Sequence, residues 1–73
     1  MSKEYVIQVP FENERRYVVG ISSKKFGEKS AKLTVNRKEA IKFKNTKKAH
    51  SMGKKLLRKC KNVKGYYIVE YKN

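Results

Sequence analysis

The chain has little with which to build a reaction centre. Its one cysteine, Cys60, has no partner for an internal disulfide, so nothing points to an oxidising compartment. One cysteine and one histidine fall short of a four-ligand metal site, and no metal or other cofactor is expected. His50, the single histidine, stands among lysines with no carboxylate nearby in sequence to orient it; a solvated residue is expected there rather than a general base. The six acidic residues are spread out and form no obvious pair for acid–base work. Gly20, Gly27, Gly53 and Gly65 are too scattered to form a phosphate-cradling loop. A non-enzymatic protein is the expectation. No apolar run approaches the roughly 18 residues of a membrane helix, and the opening MSKEYVIQV carries Glu4 and lacks the apolar stretch of a signal peptide. One domain over residues 1–73, in the cytoplasm, is therefore expected.

What the sequence has in excess is positive charge. Twenty Lys and Arg against six Asp and Glu leave a net charge of +14 on 73 residues. Such a surface repels itself and seeks a polyanion. Residues 1–45 carry 11 basic and 5 acidic groups, net +6; residues 46–73 carry 9 and 1, net +8. The shorter part holds most of the field.

That part is organised by TKKAHSMGKKLLRKCK, residues 46–61. Counted from Ala49, the residues Met52, Gly53, Leu56, Leu57 and Cys60 fall at i+3, i+4, i+7, i+8 and i+11, one stripe of an α-helix. Between them stand Lys47, Lys48, Lys54, Lys55, Arg58, Lys59 and Lys61, with no carboxylate. One face is built for burial and the other is purely cationic. Asn45 or Thr46 supplies an N-cap oxygen, and the basic residues of the last turn suit the helix dipole. Gly53 costs roughly 1 kcal/mol against alanine in a helix interior, which is reasonable if a neighbour approaches closely. Cys60, on the apolar stripe, reads as a small buried hydrophobe.

Elsewhere the pattern is β. Residues 4–9 and 15–22 read as a hairpin around the turn PFENE, with the first strand stopped by Pro10. SSKKFGEKS is a loop with Phe26 at its tip, either tucked against the body or exposed. Ala31, Leu33 and Val35 alternate inward against Lys32 and Thr34, and NRKE is a turn. Ile41 and Phe43 point inward from a short segment, residues 40–44, that is either a fourth, edge strand or an extended approach to the helix. Asn62–Gly65 is a stop signal with Gly65 suited to a left-handed turn, and residues 66–71 form the last strand. The expected fold is α+β: a mainly antiparallel sheet of four or five short strands with one amphipathic basic helix, about residues 46–61, on one face, in the order β-β-β-(β)-α-β. One helix covers one side of a sheet. Whether Tyr66, Ile68 and Glu70 or Tyr67, Val69 and Tyr71 occupy the uncovered side is left open by the alternation alone.

Leu33-Thr34-Val35-Asn36, Lys38-Glu39-Ala40-Ile41-Lys42-Phe43, Thr46-Lys47-Lys48-Ala49 and the closing Tyr67-Ile68-Val69-Glu70 together resemble a pattern of small bacteriophage- and prophage-encoded α+β proteins, over about residues 32–71. The resemblance implies a small α+β domain in a bacterial host cell and no particular activity; such proteins often modify or inhibit host machinery, defence nucleases included. The helices of those proteins mix acids with lysines, whereas this one is uniformly basic.

The leading expectation is a binding module for DNA or RNA that reads backbone and shape, because no helix-turn-helix, zinc-finger or RNP signature is present. Its contact residues are Lys47, Lys48, Lys54, Lys55, Arg58, Lys59 and Lys61, assisted by Lys24, Lys25 and Lys29, with Tyr67 and Tyr71 as stacking platforms. The alternative is a phage-encoded inhibitor, for host takeover or anti-defence of the anti-CRISPR type, docking the same basic surface on an acidic host protein or nucleoprotein. No membrane partner is expected, and monomer and homodimer are both open.

Overall fold

The computed structural model describes residues 3–12, 14–23 and 29–72. The described residues form a four-stranded antiparallel sheet and one α-helix, an α+β architecture. The strands are β1 (Glu4–Phe11), β2 (Glu14–Ser23), β3 (Lys29–Thr34) and β4 (Tyr67–Tyr71), and α1 (Thr46–Lys59) lies between β3 and β4 in sequence. The sheet order is β3-β2-β1-β4, so the helix links the two outer strands. Pro10 does not end β1. It pairs with Arg15, where β1 has lost its β4 neighbour, whose pairing spans only Glu4–Gln8, and a missing N–H is tolerated there. The turn is made instead at Glu12, which adopts a φ of 54°.

The sheet is forked. β1 and β2 pair only from Gln8↔Tyr17 to Phe11↔Glu14, at the hairpin end. Beyond that the segment 41–43 enters between them. Tyr5 and Phe43 exchange both backbone hydrogen bonds at 2.8 Å, and the Ile41 N–H donates to the Val18 carbonyl at 3.0 Å. Residues 40–44 are therefore not an edge strand but the second of the two expectations, an extended approach to the helix held by a single bridge. They fill the interior of the fork, with Phe43 packed against the core.

The helix-side core is Ile7, Val9, Val18, Ala31, Ala49, Leu56, Cys60 and Val63, with Ile68, Leu33, Ile21, Met52 and Tyr66 packed around it. α1 contributes Ala49, Gly53 and Leu56 from one stripe, and its cap residue Cys60 is buried as well. Leu57, at 43% exposure, falls off that stripe, so the buried face is narrower than the sequence periodicity suggests. Leu56 is fully buried, and truncating it to alanine would cost about 2–5 kcal/mol. Asn45 caps the helix by accepting the Lys48 N–H at 2.8 Å. Helix α1 ends at Lys59, six residues before Gly65. Gly65 is not in the left-handed region, and the last turn is closed by the Cys60 N–H donating to the Leu56 carbonyl.

β3 also ends early. The Asn36 N–H donates to Thr34 Oγ1 at 3.1 Å and turns the chain, so Val35 leaves the ladder and is 67% exposed instead of inward. A single 3-10 turn, Arg37–Glu39, follows. The other edge of β3 is closed by the helix end: Lys29 bridges to Cys60, and the Asn62 amide grips both backbone groups of Ala31, at 3.0 and 3.1 Å. One side-chain amide here stands in for a neighbouring strand.

Candidate functional site

Seven exposed cations stand on or beside α1: Lys47, Lys48, Lys54, Lys55, Arg58, Lys59 and Lys61. They are held there because the opposite stripe is anchored by Ala49, Gly53 and Leu56. The Lys29–Cys60 bridge brings the first residue of β3 to the helix C-terminus, so Lys29 joins Lys55, Arg58 and Lys59 although some 26 to 30 positions separate them in sequence. The crowding has an electrostatic signature. The Lys59 ammonium is held below its ordinary pKa, chiefly by the Lys29 charge, then by Lys55, by local desolvation and by Arg58. Among the described residues the one ion pair is Arg16–Glu14, at 3.1 Å and away from this cluster. Between Ser51, Lys54, Lys55, Leu57 and Arg58 lies a shallow, open depression of about 540 Å³, with the half-exposed Leu57 in its wall. Lys24, Lys25 and Phe26 lie outside the described residues.

His50 is exposed but not merely solvated. Its Nδ1 lies 3.2 Å from the Tyr66 hydroxyl, with the two rings edge to face at 5.9 Å and 70°. Tyr66 in turn explains Gly53: a Cβ at that position would fall within 2.7 Å of three carbons of the Tyr66 ring. The close neighbour of the helix glycine is therefore this aromatic ring, just ahead of β4. Among the described residues, no three His, Cys, Asp or Glu side chains converge as a metal site and no helix is long and apolar enough to cross a membrane.

The register settles which side of β4 faces away from α1. Ile7 pairs with Ile68 on the helix side, so Glu4↔Tyr71, Val6↔Val69 and Gln8↔Tyr67 share the opposite side. Glu70 belongs to the helix side but is exposed at its rim. Tyr67 is 61% exposed, while Tyr71 is half-buried with the Lys42 ammonium 4.8 Å above its ring. Tyr17 pairs with Gln8 from the other flank, so Tyr67 and Tyr17 stand two strands apart on the same side, about 10 Å between backbones. Next to them is a groove of about 590 Å³ lined by Tyr17, Val35, Arg37, Lys38, Tyr71 and Lys72. Of these lining residues, sequence reasoning singled out Tyr71 alone. The phase of RRYVVGI carried the signal for Tyr17, because placing Val18 inward turns Tyr17 outward.

Comparison of the chain with protein-family models, with curated proteins and with solved structures finds no match. The functional reading accordingly rests on the chemistry of these two surfaces.

Proposed function

We propose that the protein is a non-enzymatic binding module for nucleic acid, in which a basic amphipathic helix on one side of the sheet grips the phosphate backbone. The observation that carries this reading is the meeting of Lys29, Lys55, Arg58 and Lys59 at the helix C-terminus, crowded enough to depress the Lys59 pKa. A fold that gathers like charge lowers its own stability. A bound row of phosphates reverses that cost, because each neutralised phosphate also releases counterions. At 14 residues α1 is about 21 Å long, enough to follow several phosphates. Recognition is of backbone and shape, since lysine and arginine on phosphates carry no sequence information by themselves.

The test is a gel-shift series at low salt with DNA and RNA of matched length. Wild type shifts both, and Lys54→Glu, Lys55→Glu, Arg58→Glu and Lys59→Glu combined shift neither. All four side chains are exposed, so the fold survives the change. A wild type that shifts no nucleic acid at low salt overturns the reading and leaves the same surface to an acidic protein partner.

A further inference from the structure

We infer that the groove on the side of the sheet facing away from α1 is a second site, which takes an unpaired nucleotide of a single strand. The inference rests on the reading above that nucleic acid is the ligand, and it adds what the helix face cannot provide: a preference for bases that are not paired.

Four features of the groove point to that occupant. Its apolar part is two half-buried tyrosines from different strands, Tyr17 on β2 and Tyr71 at the end of β4, together with Val35, a valine left 67% exposed by the early end of β3. Its polar part includes Arg37, Lys38 and Lys72, with no carboxylate among the lining residues. Glu39, the acid next along the chain, accepts a hydrogen bond from Thr34 Oγ1 at 3.0 Å. The volume of about 590 Å³ lies within the usual range of small-ligand sites. An aromatic floor with a cationic rim matches a nucleotide in both of its parts, since the base has a π-face to stack and the phosphate has a charge to neutralise. A base inside a duplex has both faces covered by its neighbours, so only a single strand, a loop or an end presents one to a tyrosine ring. Lys42 reinforces the arrangement: its ammonium donates to the Lys38 and Ala40 carbonyls at 2.7 and 3.1 Å while standing over the Tyr71 ring, tying the 35–42 segment to the last strand.

The experiment compares a labelled thymidine oligomer with an abasic deoxyribose-phosphate oligomer of the same length, by fluorescence anisotropy with the intact chain. Both carry the same phosphates and only one carries bases. The protein has no tryptophan, so quenching of its tyrosine emission reports stacking directly. One stacked base gives wild type a preference for the thymidine oligomer of roughly 5- to 150-fold, converted from the usual worth of a base–aromatic stack, accompanied by quenching. Tyr17→Leu brings the ratio to near one. Should that variant fail to melt cooperatively, Val35→Glu does the same from an exposed position that the fold does not need. Tyr67, expected from the sequence to be a stacking platform, is on the same side but is not part of the groove lining. As the rival platform it is tested by Tyr67→Leu, which leaves the ratio as in wild type when Tyr17 and Tyr71 hold the base.

Equal affinity of wild type for the two oligomers, with the helix charge reversal weakening both, overturns the groove and keeps the phosphate-binding helix. A base preference that survives Val35→Glu, or one that is lost with Tyr67→Leu, places stacking elsewhere and also overturns the groove. No binding of either oligomer overturns both proposals.

Discussion

Alanine at position 53 should destabilise this protein, against the ordinary rule for helices. In an exposed helix interior, glycine to alanine stabilises by about 1 kcal/mol. Here the added Cβ would sit within 2.7 Å of Cδ2, Cε2 and Cζ of Tyr66. These are ring carbons in a half-buried side chain whose hydroxyl is tied to His50. Overpacking of this kind typically costs about 1–3 kcal/mol. Set against the propensity gain, the net loss is about 0–2 kcal/mol, and its midpoint lowers the melting temperature by about 4–8 °C in a domain of this size. The assay is far-UV circular dichroism in thermal and urea melts of four proteins: wild type, Gly53→Ala, Tyr66→Ala and the double variant. In the Tyr66→Ala background the steric cost is gone, and Gly53→Ala should then stabilise by up to about 1 kcal/mol. The two substitutions are thus coupled, and the sign of the glycine effect inverts across the cycle. If Gly53→Ala stabilises wild type as much as it stabilises Tyr66→Ala, the contact between this ring and the helix backbone does not govern the position.

Three further outcomes are expected. Asn62→Ala removes both hydrogen bonds to Ala31 and uncovers that edge of β3; a loss of about 1–3 kcal/mol and faster hydrogen exchange at the Ala31 amide check it. Asn45→Ala leaves the Lys48 N–H without its cap, costing about 1 kcal/mol, and Asn45→Asp restores most of the urea midpoint. Lys59 binds its proton more weakly in the folded than in the unfolded chain, so its charge lowers stability at neutral pH. That deficit disappears as pH rises through the lowered folded value toward the unfolded value of 10.5. Lys59→Gln should therefore be more stable than wild type at neutral pH and low salt. The difference should shrink as pH approaches 10.5, and in about 1 M salt, where the screening length is about 3 Å.

Much of the architecture was legible in the residues because the chain uses simple periods. The 3.6-residue spacing of Ala49, Gly53, Leu56 and Cys60 placed the helix, and the β-branched runs at residues 5–9, 17–21 and 67–71 placed three strands. What the alternation misplaced, Val35, and what it left open, residues 40–44, share a physical cause. Val35 and the 40–44 segment follow the alternation of strands, yet whether such a segment joins a ladder depends on what lies beside it. A hydrogen bond from the Asn36 N–H to Thr34 Oγ1 removed Val35, and the fork between β1 and β2 took in residues 41–43. Neither event has a local pattern. The same limit applies to the sites. The cations of α1 could be counted from its sequence, and Lys29 was grouped with them on composition alone. Its approach to Lys59 depends on a bridge to Cys60, which no spacing encodes. The Tyr17 groove needs three segments brought together and was invisible until the register was known.

The most direct test of the cationic helix end is the salt dependence of binding in two variants of equal charge. One carries Lys55→Gln, Arg58→Gln and Lys59→Gln; the other carries Lys3→Gln, Lys32→Gln and Lys44→Gln, exposed lysines away from the cluster. If the three helix cations each neutralise a phosphate, the slope of log K against log[salt] becomes shallower by about 2.7 on duplex DNA and about 2.1 on a single strand in the first variant, and stays near the wild-type value in the second. Equal slopes in the two variants would mean that the net charge of +14 binds without regard to where the fold puts it, and would contradict the account.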